Sequence, residues 1–176
     1  MEILIALIST ACGFALKTLW QAHVDRKKTV ELETWKIRVS QLEQRLSRFY
    51  WPIYLRLQKD NVIWEKILHR DDFDVDKKML GFQIEKDVLL PNHAEIIRII
   101  ENNIHLAKPD SDFEQQLLQY IKHIDIYRAL RGAGITDKDP IHFDEPYPNG
   151  FFEAVEVRLK SLQSEYDMII DLQKEG

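Results

Sequence analysis

Apolar residues recur at steps of three and four over most of the chain, which is the spacing of amphipathic helices. The pattern covers Leu32 to Ile53, Phe113 to Leu130 and Phe152 to Ile169. Another helix is predicted to begin at Asn92, because Asn92 and Glu95 have the spacing of a capping box. No strand signal is strong enough to support a dinucleotide-binding fold. The pattern therefore predicts an all-α fold.

The helix that begins at Asn92 carries two separate stripes. Ile97, Ile100 and Ile104 recur at steps of three and four and are predicted to face the core. Arg98 and His105 lie on a separate polar stripe of the same helix. This helix is therefore predicted to contribute one face to the core and to present candidate functional residues on another.

The first stretch of the chain is apolar and carries no charge from Ile3 to Leu16. A helix from Ile3 to Trp20 would be roughly 27 Å long, close to the roughly 30 Å of bilayer hydrocarbon. The basic cluster Arg26 to Lys28 follows it, and such an excess holds the C-terminal part in the cytoplasm. We therefore predict a transmembrane helix in residues 1–23 of a single-pass inner-membrane protein, with its C-terminal domain in the cytoplasm.

Two other interpretations of this apolar stretch compete with a membrane span. A secretory signal peptide carries its positive charge before the apolar core, whereas here Glu2 comes first and the basic cluster follows. An uncharged run of this length is also typical of a buried helix in a soluble bundle. The order of the charges favours the membrane span over the signal peptide.

One face of the predicted span is small or polar. Ala6, Thr10, Gly13 and Lys17 recur at steps of four, three and four, and small residues at this spacing let helices approach closely in lipid. In an assembly of several copies, this stripe would face helix neighbours or water in a pore. Alternatively, Lys17 reaches the headgroups from the end of a short span.

The composition indicates that the rest of the chain folds. The 176 residues are 45% apolar and 30% charged, which excludes a disordered chain and a polytopic membrane protein. The net charge of −5 argues against general nucleic-acid affinity, because Lys and Arg supply most non-specific binding. Cys12 is the only cysteine and the six histidines lack metal-ligand spacing. The sequence predicts no metal site and no cofactor.

Arg98 and His105 are the one pair that suggests catalysis. An Arg side chain can stabilise phosphate charge while an imidazole exchanges protons during RNA cleavage. This R-x6-H arrangement in a helical bundle resembles the motif of HEPN ribonucleases, in which two protomers bring their Arg and His residues together. The residue after Arg98 is Ile99, where that family usually has a polar residue. The degenerate motif favours a protein that is not an enzyme.

With the apolar start included, the chain is similar to the small accessory proteins of type VI-B CRISPR systems. That resemblance implies a HEPN-like bundle in residues 24–176, including a long neck helix in residues 24–51. It also implies homo-oligomers that form membrane pores and depolarise infected cells, enhancing antiviral defence by an RNA-guided effector. The predicted partners are therefore other copies of the chain, the lipid membrane and, functionally, a CRISPR effector.

Three functional hypotheses follow. The first is a membrane-anchored protein that oligomerises into a pore or channel for antiviral defence. The second is a membrane-tethered HEPN ribonuclease that uses Arg98 and His105. The alternative role of these two residues is structural, in which they tie helices or protomers together by hydrogen bonds to buried groups. The third is a membrane-anchored adaptor that binds another protein through its helical domain.

Overall fold

The protein is all-α in the computed structural model, which describes residues 2–68 and 77–174, with side chains at 17–67 and 79–173. The α-helices are α1 (Glu2–Arg45), α2 (Trp51–Ile63), α3 (Lys77–Ile84), α4 (Leu90–Ala107), α5 (Ser111–Gly132) and α6 (Phe151–Lys174). Short π-helical turns, Leu46–Tyr50, Trp64–Leu68 and Glu85–Leu89, extend these helices, and a 3-10 turn, Pro140–Phe143, lies between α5 and α6. The described residues contain no strand, so the predicted all-α class is confirmed.

The chain divides into two compact units, Met1–Gln41 and Leu42–Gly176. The first unit consists of α1 up to Gln41, and most of its described side chains are exposed. Within it, Lys36 Nζ lies 2.9 Å from Glu33 Oε1, and Lys27 Nζ lies 3.9 Å from Glu31 Oε1. Ion pairs between neighbouring turns support an exposed helix by a few tenths of a kcal/mol each.

The predicted localisation in the inner membrane is wrong. In the part of the chain that the structure describes, no helix combines the length and the apolar character needed to cross a bilayer. Among the side chains that are described, Lys17, Asp25 and the cluster from Arg26 to Lys28 interrupt the apolar residues of this helix, so no uncharged stretch of spanning length occurs there. The side chains of the predicted apolar core, residues 3–16, lie outside the described residues. The same finding contradicts the predicted single-pass topology.

The predicted small and polar stripe lies mostly beyond what can be described. The side chains of Ala6, Thr10 and Gly13 lie outside the described residues. Lys17, at the end of that stripe, is exposed. The role of the stripe stays a prediction.

The second unit has a core that α2, α4, α5 and α6 build together. Ile53, Ile96 and Ile100 are fully buried, and aromatic rings from two helices stack at its centre. Phe151 of α6 lies 4.6 Å from Tyr120 and 6.4 Å from Phe113 of α5, measured between ring centroids. Large aromatic side chains contribute much of the apolar area that a core buries. The predicted amphipathic helices therefore pack through the faces that their patterns indicate.

Two local predictions about α4 are wrong. Asn92 does not cap the helix, because helical geometry is already established at Leu89 and Asn92 is buried inside the second unit. Ile104, which the pattern places on the core face, is 36% exposed. Asn103 leaves helical geometry, with φ −130° and ψ 16°, and this break changes the direction in which the residues after it point.

Candidate functional site

Arg98 is presented on the exposed side of α4 and is held by a carboxylate one turn earlier. Its Nε lies 2.8 Å from Glu95 Oε2, and its Nη2 lies 2.6 Å from Glu95 Oε1. This bidentate hydrogen bonding lowers the pKa of Glu95 and raises that of Arg98. The Arg98 side chain is 65% exposed, so another molecule can still reach it.

A second arginine shares the same carboxylate. Arg56 of α2 lies with its Nη2 3.5 Å from Glu95 Oε1, and its Nη1 donates to the Pro52 carbonyl at 3.0 Å. Two guanidinium groups thus meet one carboxylate, and the cluster carries a net positive charge at neutral pH. An exposed cluster of this sign suits an anionic group on a partner.

His105 lies beyond the break at Asn103. Asn103 Nδ2 donates to the Ile99 carbonyl at 3.2 Å, so its side chain satisfies a carbonyl inside the helix. A spacing of seven residues places two side chains on one face of a regular helix, but the helix between Arg98 and His105 is not regular. His105 is exposed, and no described residue forms a hydrogen bond with its ring.

The segment that carries His105 is anchored by residues from the start of the second unit. Arg45 Nε donates to the Leu106 carbonyl at 2.9 Å, and the buried Tyr50 hydroxyl donates to the Ala107 carbonyl at 2.9 Å. Burial raises the pKa of Tyr50, so the hydroxyl keeps its proton and remains a donor. These bonds satisfy carbonyls that a helix end leaves without partners.

The other end of α4 contributes to a buried polar network. Asn92 Nδ2 donates to Asp60 Oδ1 at 2.8 Å and to the Arg56 carbonyl at 2.9 Å. The next residue, His93, has its Nδ1 2.8 Å from the Tyr120 hydroxyl and 3.7 Å from Asp60 Oδ2. The network therefore joins α2, α4 and α5.

The electrostatics of this network are set by burial. Burial raises the pKa of Asp60 to about 6, although the Asn92 hydrogen bond and Lys59 lower it. Burial, and to a smaller extent the nearby His123, lower the pKa of His93 to about 4. His93 is therefore neutral at neutral pH, and its approach to Asp60 is not an ion pair. Asp60 Oδ2 is buried without a hydrogen-bond partner among the described atoms.

The two sets of residues suit different tasks. Asp60, His93 and Tyr120 are largely buried and connect helices through their contacts. Arg98 and His105 are exposed and are available to a partner, although no described contact joins them to each other. Sequence reasoning missed the buried set, and the only local signal was a polar pair, Asn92 and His93, ahead of an isoleucine-rich run.

Within the described residues, no three His, Cys, Asp or Glu side chains are grouped so that they could hold a metal ion. The fold and the site define an all-α protein with an exposed Arg and His on one helix and a buried polar network at the start of the same helix. No family model matches the chain, and searches of characterised proteins and of solved structures find no similar protein.

Proposed function

We propose that this is a non-enzymatic helical protein that works by self-association, and that α1 supplies the contact surface. The observation that supports this proposal is an apolar stripe on the first unit, formed by Leu19, Val30 and Ile37. These side chains are 69%, 57% and 58% exposed. They are spaced by about three turns and about two turns, so they share one side of the helix.

The stripe lies opposite another apolar side of the same helix. Trp35 and Val39 belong to the apolar pattern that runs from Leu32 to Ile53. They project about half a turn away from Val30 and Ile37. A helix that is apolar on two opposite sides is typical of one that packs on both. Large apolar side chains left in water favour association, because burial removes their surface from water.

The charges beside the stripe suit a second copy of the same chain. The basic cluster from Arg26 to Lys28 is followed by Glu31 and Glu33. If two copies paired in antiparallel orientation about Val30, the basic cluster of each would lie beside the acidic pair of the other. Complementary charges of this kind favour one orientation and one partner. The proposed assembly does not require a membrane.

The particle mass of the full-length protein, measured by light scattering over a range of concentrations, tests this proposal. We expect the wild-type protein to be larger than a monomer and the double variant Val30→Glu, Ile37→Glu to be a monomer. Thr18→Glu with Gln21→Glu is the matched control, because it adds the same charge at exposed positions outside the stripe and away from the charged residues 26–33. A monomeric wild type, or an assembly unaffected by the first double variant, would overturn the proposal.

The resemblance to accessory proteins of type VI-B CRISPR systems supports assigning this assembly to antiviral defence. Plaque counts in cells that express an RNA-guided effector of that type, with and without this protein, measure the enhancement directly. We expect enhancement by the wild type and by the Thr18→Glu, Gln21→Glu control. We expect its loss in the variant that does not assemble.

A ribonuclease remains the second candidate, and the exposure of Arg98 and His105 favours it. A partner protomer could bring its own pair against them, and release of Arg98 from Glu95 would free a guanidinium for phosphate. Incubation of the purified protein with single-stranded RNA separates the candidates. Cleavage that disappears in Arg98→Ala and in His105→Ala would establish the ribonuclease, whereas the non-enzymatic proposal requires intact RNA.

A further inference from the structure

A groove in the second unit has the size and chemistry of a small-molecule site. It lies between α3 with its following π-helical turn, the first turns of α4 and the end of α5, and has a volume of about 570 Å³. This size falls within the range of roughly 300–1,000 Å³ that ligand sites show. Phe82, Leu90, Pro91 and Ala94 supply an apolar lining, and the Phe82 side chain is 53% exposed.

In one wall of the groove, the charged side chains of Glu85 and Arg131 are paired with neighbouring protein groups. Glu85 accepts hydrogen bonds from the Tyr127 hydroxyl at 2.7 Å and from Arg131 Nε at 2.5 Å. Arg131 also lies 2.8 Å from Asp139 and donates to the Ile135 carbonyl at 2.9 Å. Burial and the Glu85 carboxylate raise the pKa of Tyr127, so the hydroxyl stays protonated. The charges of Glu85 and Arg131 thus compensate each other and are not available to a ligand.

Two further cations line the groove and retain charge for a ligand. Lys86 is exposed, and no described carboxylate forms an ion pair with it. Among the described residues, Arg128 has one distant partner, Asp125, at 3.7 Å, and both side chains are about half exposed. An exposed pair of that kind is weak. The groove therefore combines an apolar lining with a local positive charge in a protein whose net charge is −5.

We propose that this groove binds a small organic anion with an apolar body, such as a medium-chain carboxylate. The apolar body would lie against Phe82, Leu90 and Ala94, where burial provides most of the affinity. The carboxylate would lie between Lys86 and Arg128, which select for negative charge. Because water screens these exposed cations, each should contribute about fivefold in affinity.

Titration calorimetry of the full-length protein with octanoate tests the proposal, and octan-1-ol and octylammonium serve as probes with the same apolar body. We expect octanoate to bind most tightly, octan-1-ol to bind about 25-fold more weakly because it loses both cation contacts, and octylammonium to bind most weakly. Equal affinity for octanoate and octan-1-ol would overturn the charge selection. The absence of octanoate binding at millimolar concentration would overturn the site.

Variants assign the binding to this groove. Lys86→Gln and Arg128→Gln should each weaken octanoate about fivefold and leave octan-1-ol unchanged, whereas Phe82→Ala should weaken both. Lys160→Gln on α6 is the matched control, because it removes an exposed cation that is not among the residues lining the groove. It should leave the affinity for both probes unchanged. If Lys160→Gln weakens octanoate as much as Lys86→Gln does, the effect comes from total charge and the proposal fails.

The groove and the self-association surface can be tested separately. No described residue of α1 lines the groove, so the Val30→Glu, Ile37→Glu variant should bind octanoate with wild-type affinity. That result would hold whether or not the protein assembles. Failure of octanoate to bind would likewise leave the proposed assembly untouched.

Discussion

The two histidines of α4 show how one residue type takes opposite roles on a single helix. His93 is largely buried, contacts Tyr120 and has its pKa lowered to about 4. His105 lies past the break at Asn103, is exposed, and has no described hydrogen-bond partner. The histidine that a catalytic motif singles out is thus free to meet another molecule, whereas the one without a motif ties three helices together. Burial, and not the surrounding motif, separates the two roles.

Truncation of each histidine should give the largest difference between them. His93→Ala removes a buried ring and leaves the Tyr120 hydroxyl without its partner, so we expect a loss of about 3 kcal/mol in the free energy of unfolding. His105→Ala should leave the urea midpoint unchanged, because an exposed ring without partners stabilises little. Urea denaturation of both variants measures the difference. Equal losses would show that the exposed histidine also supports the fold.

The pH dependence of stability should report on the two buried titratable groups near the start of α4, Asp60 and His93. Because the pKa of Asp60 is raised to about 6, the folded state holds its proton more tightly, and this contribution is lost as the pH rises through 6. Because the pKa of His93 is lowered to about 4, its contribution is present above its ordinary pKa near 6.5 and is lost as the pH falls toward 4. The two slopes oppose each other in the wild type.

Asp60→Asn should remove the contribution of Asp60 to the pH dependence of stability and leave that of His93. We expect the melting temperature of this variant to rise between pH 4 and about 6.5 more steeply than that of the wild type. At pH 8 the variant should be the more stable protein, because it removes a buried ionised carboxylate with an unpaired oxygen. Calorimetric melting curves across this range provide the check. Parallel curves for variant and wild type would contradict the assigned pKa values.

The sequence predicts much of the fold but little of this contrast. Periodicity identifies α4 and its isoleucine stripe, since helix faces depend on residues that are close in the chain. The roles of Asn92 and His93 depend on Asp60 and Tyr120, which lie about 30 residues away in each direction. The break at Asn103 is equally invisible to a pattern that assumes a regular helix. Contacts of this kind exist only after packing, so the spacing of residues does not reveal them.

A smaller effect should come from the anchor that positions His105. Tyr50→Phe removes the hydrogen bond to the Ala107 carbonyl and keeps the packing, so we expect a loss of about 1 kcal/mol. Amide hydrogen exchange should accelerate in residues 104–107 and stay unchanged around His93. Arg45→Met should act on the same segment through the Leu106 carbonyl. Acceleration over the whole of α4 would show that its two ends unfold together.

The smallest effect on stability is expected at Arg98. Arg98→Ala removes an exposed ion pair with Glu95, so the urea midpoint should not change measurably. The pKa of Glu95, measured by NMR titration, should rise toward its ordinary value because its main hydrogen-bond donor is gone. Arg98→Lys is the control, since it keeps the charge and loses the bidentate geometry. A large loss of stability would move Arg98 into the same class as His93.

The π-helical turns affect which insertions and deletions the chain can tolerate. A π-helical turn holds an extra residue compared with an α-helical turn, so Leu46–Tyr50 acts as a single-residue insertion. Deletion of one residue there would rotate the following part of α2 by about 100° relative to Leu42, and Ile53 and Leu57 would leave the core. Related sequences with this fold should therefore keep the residue count through this turn.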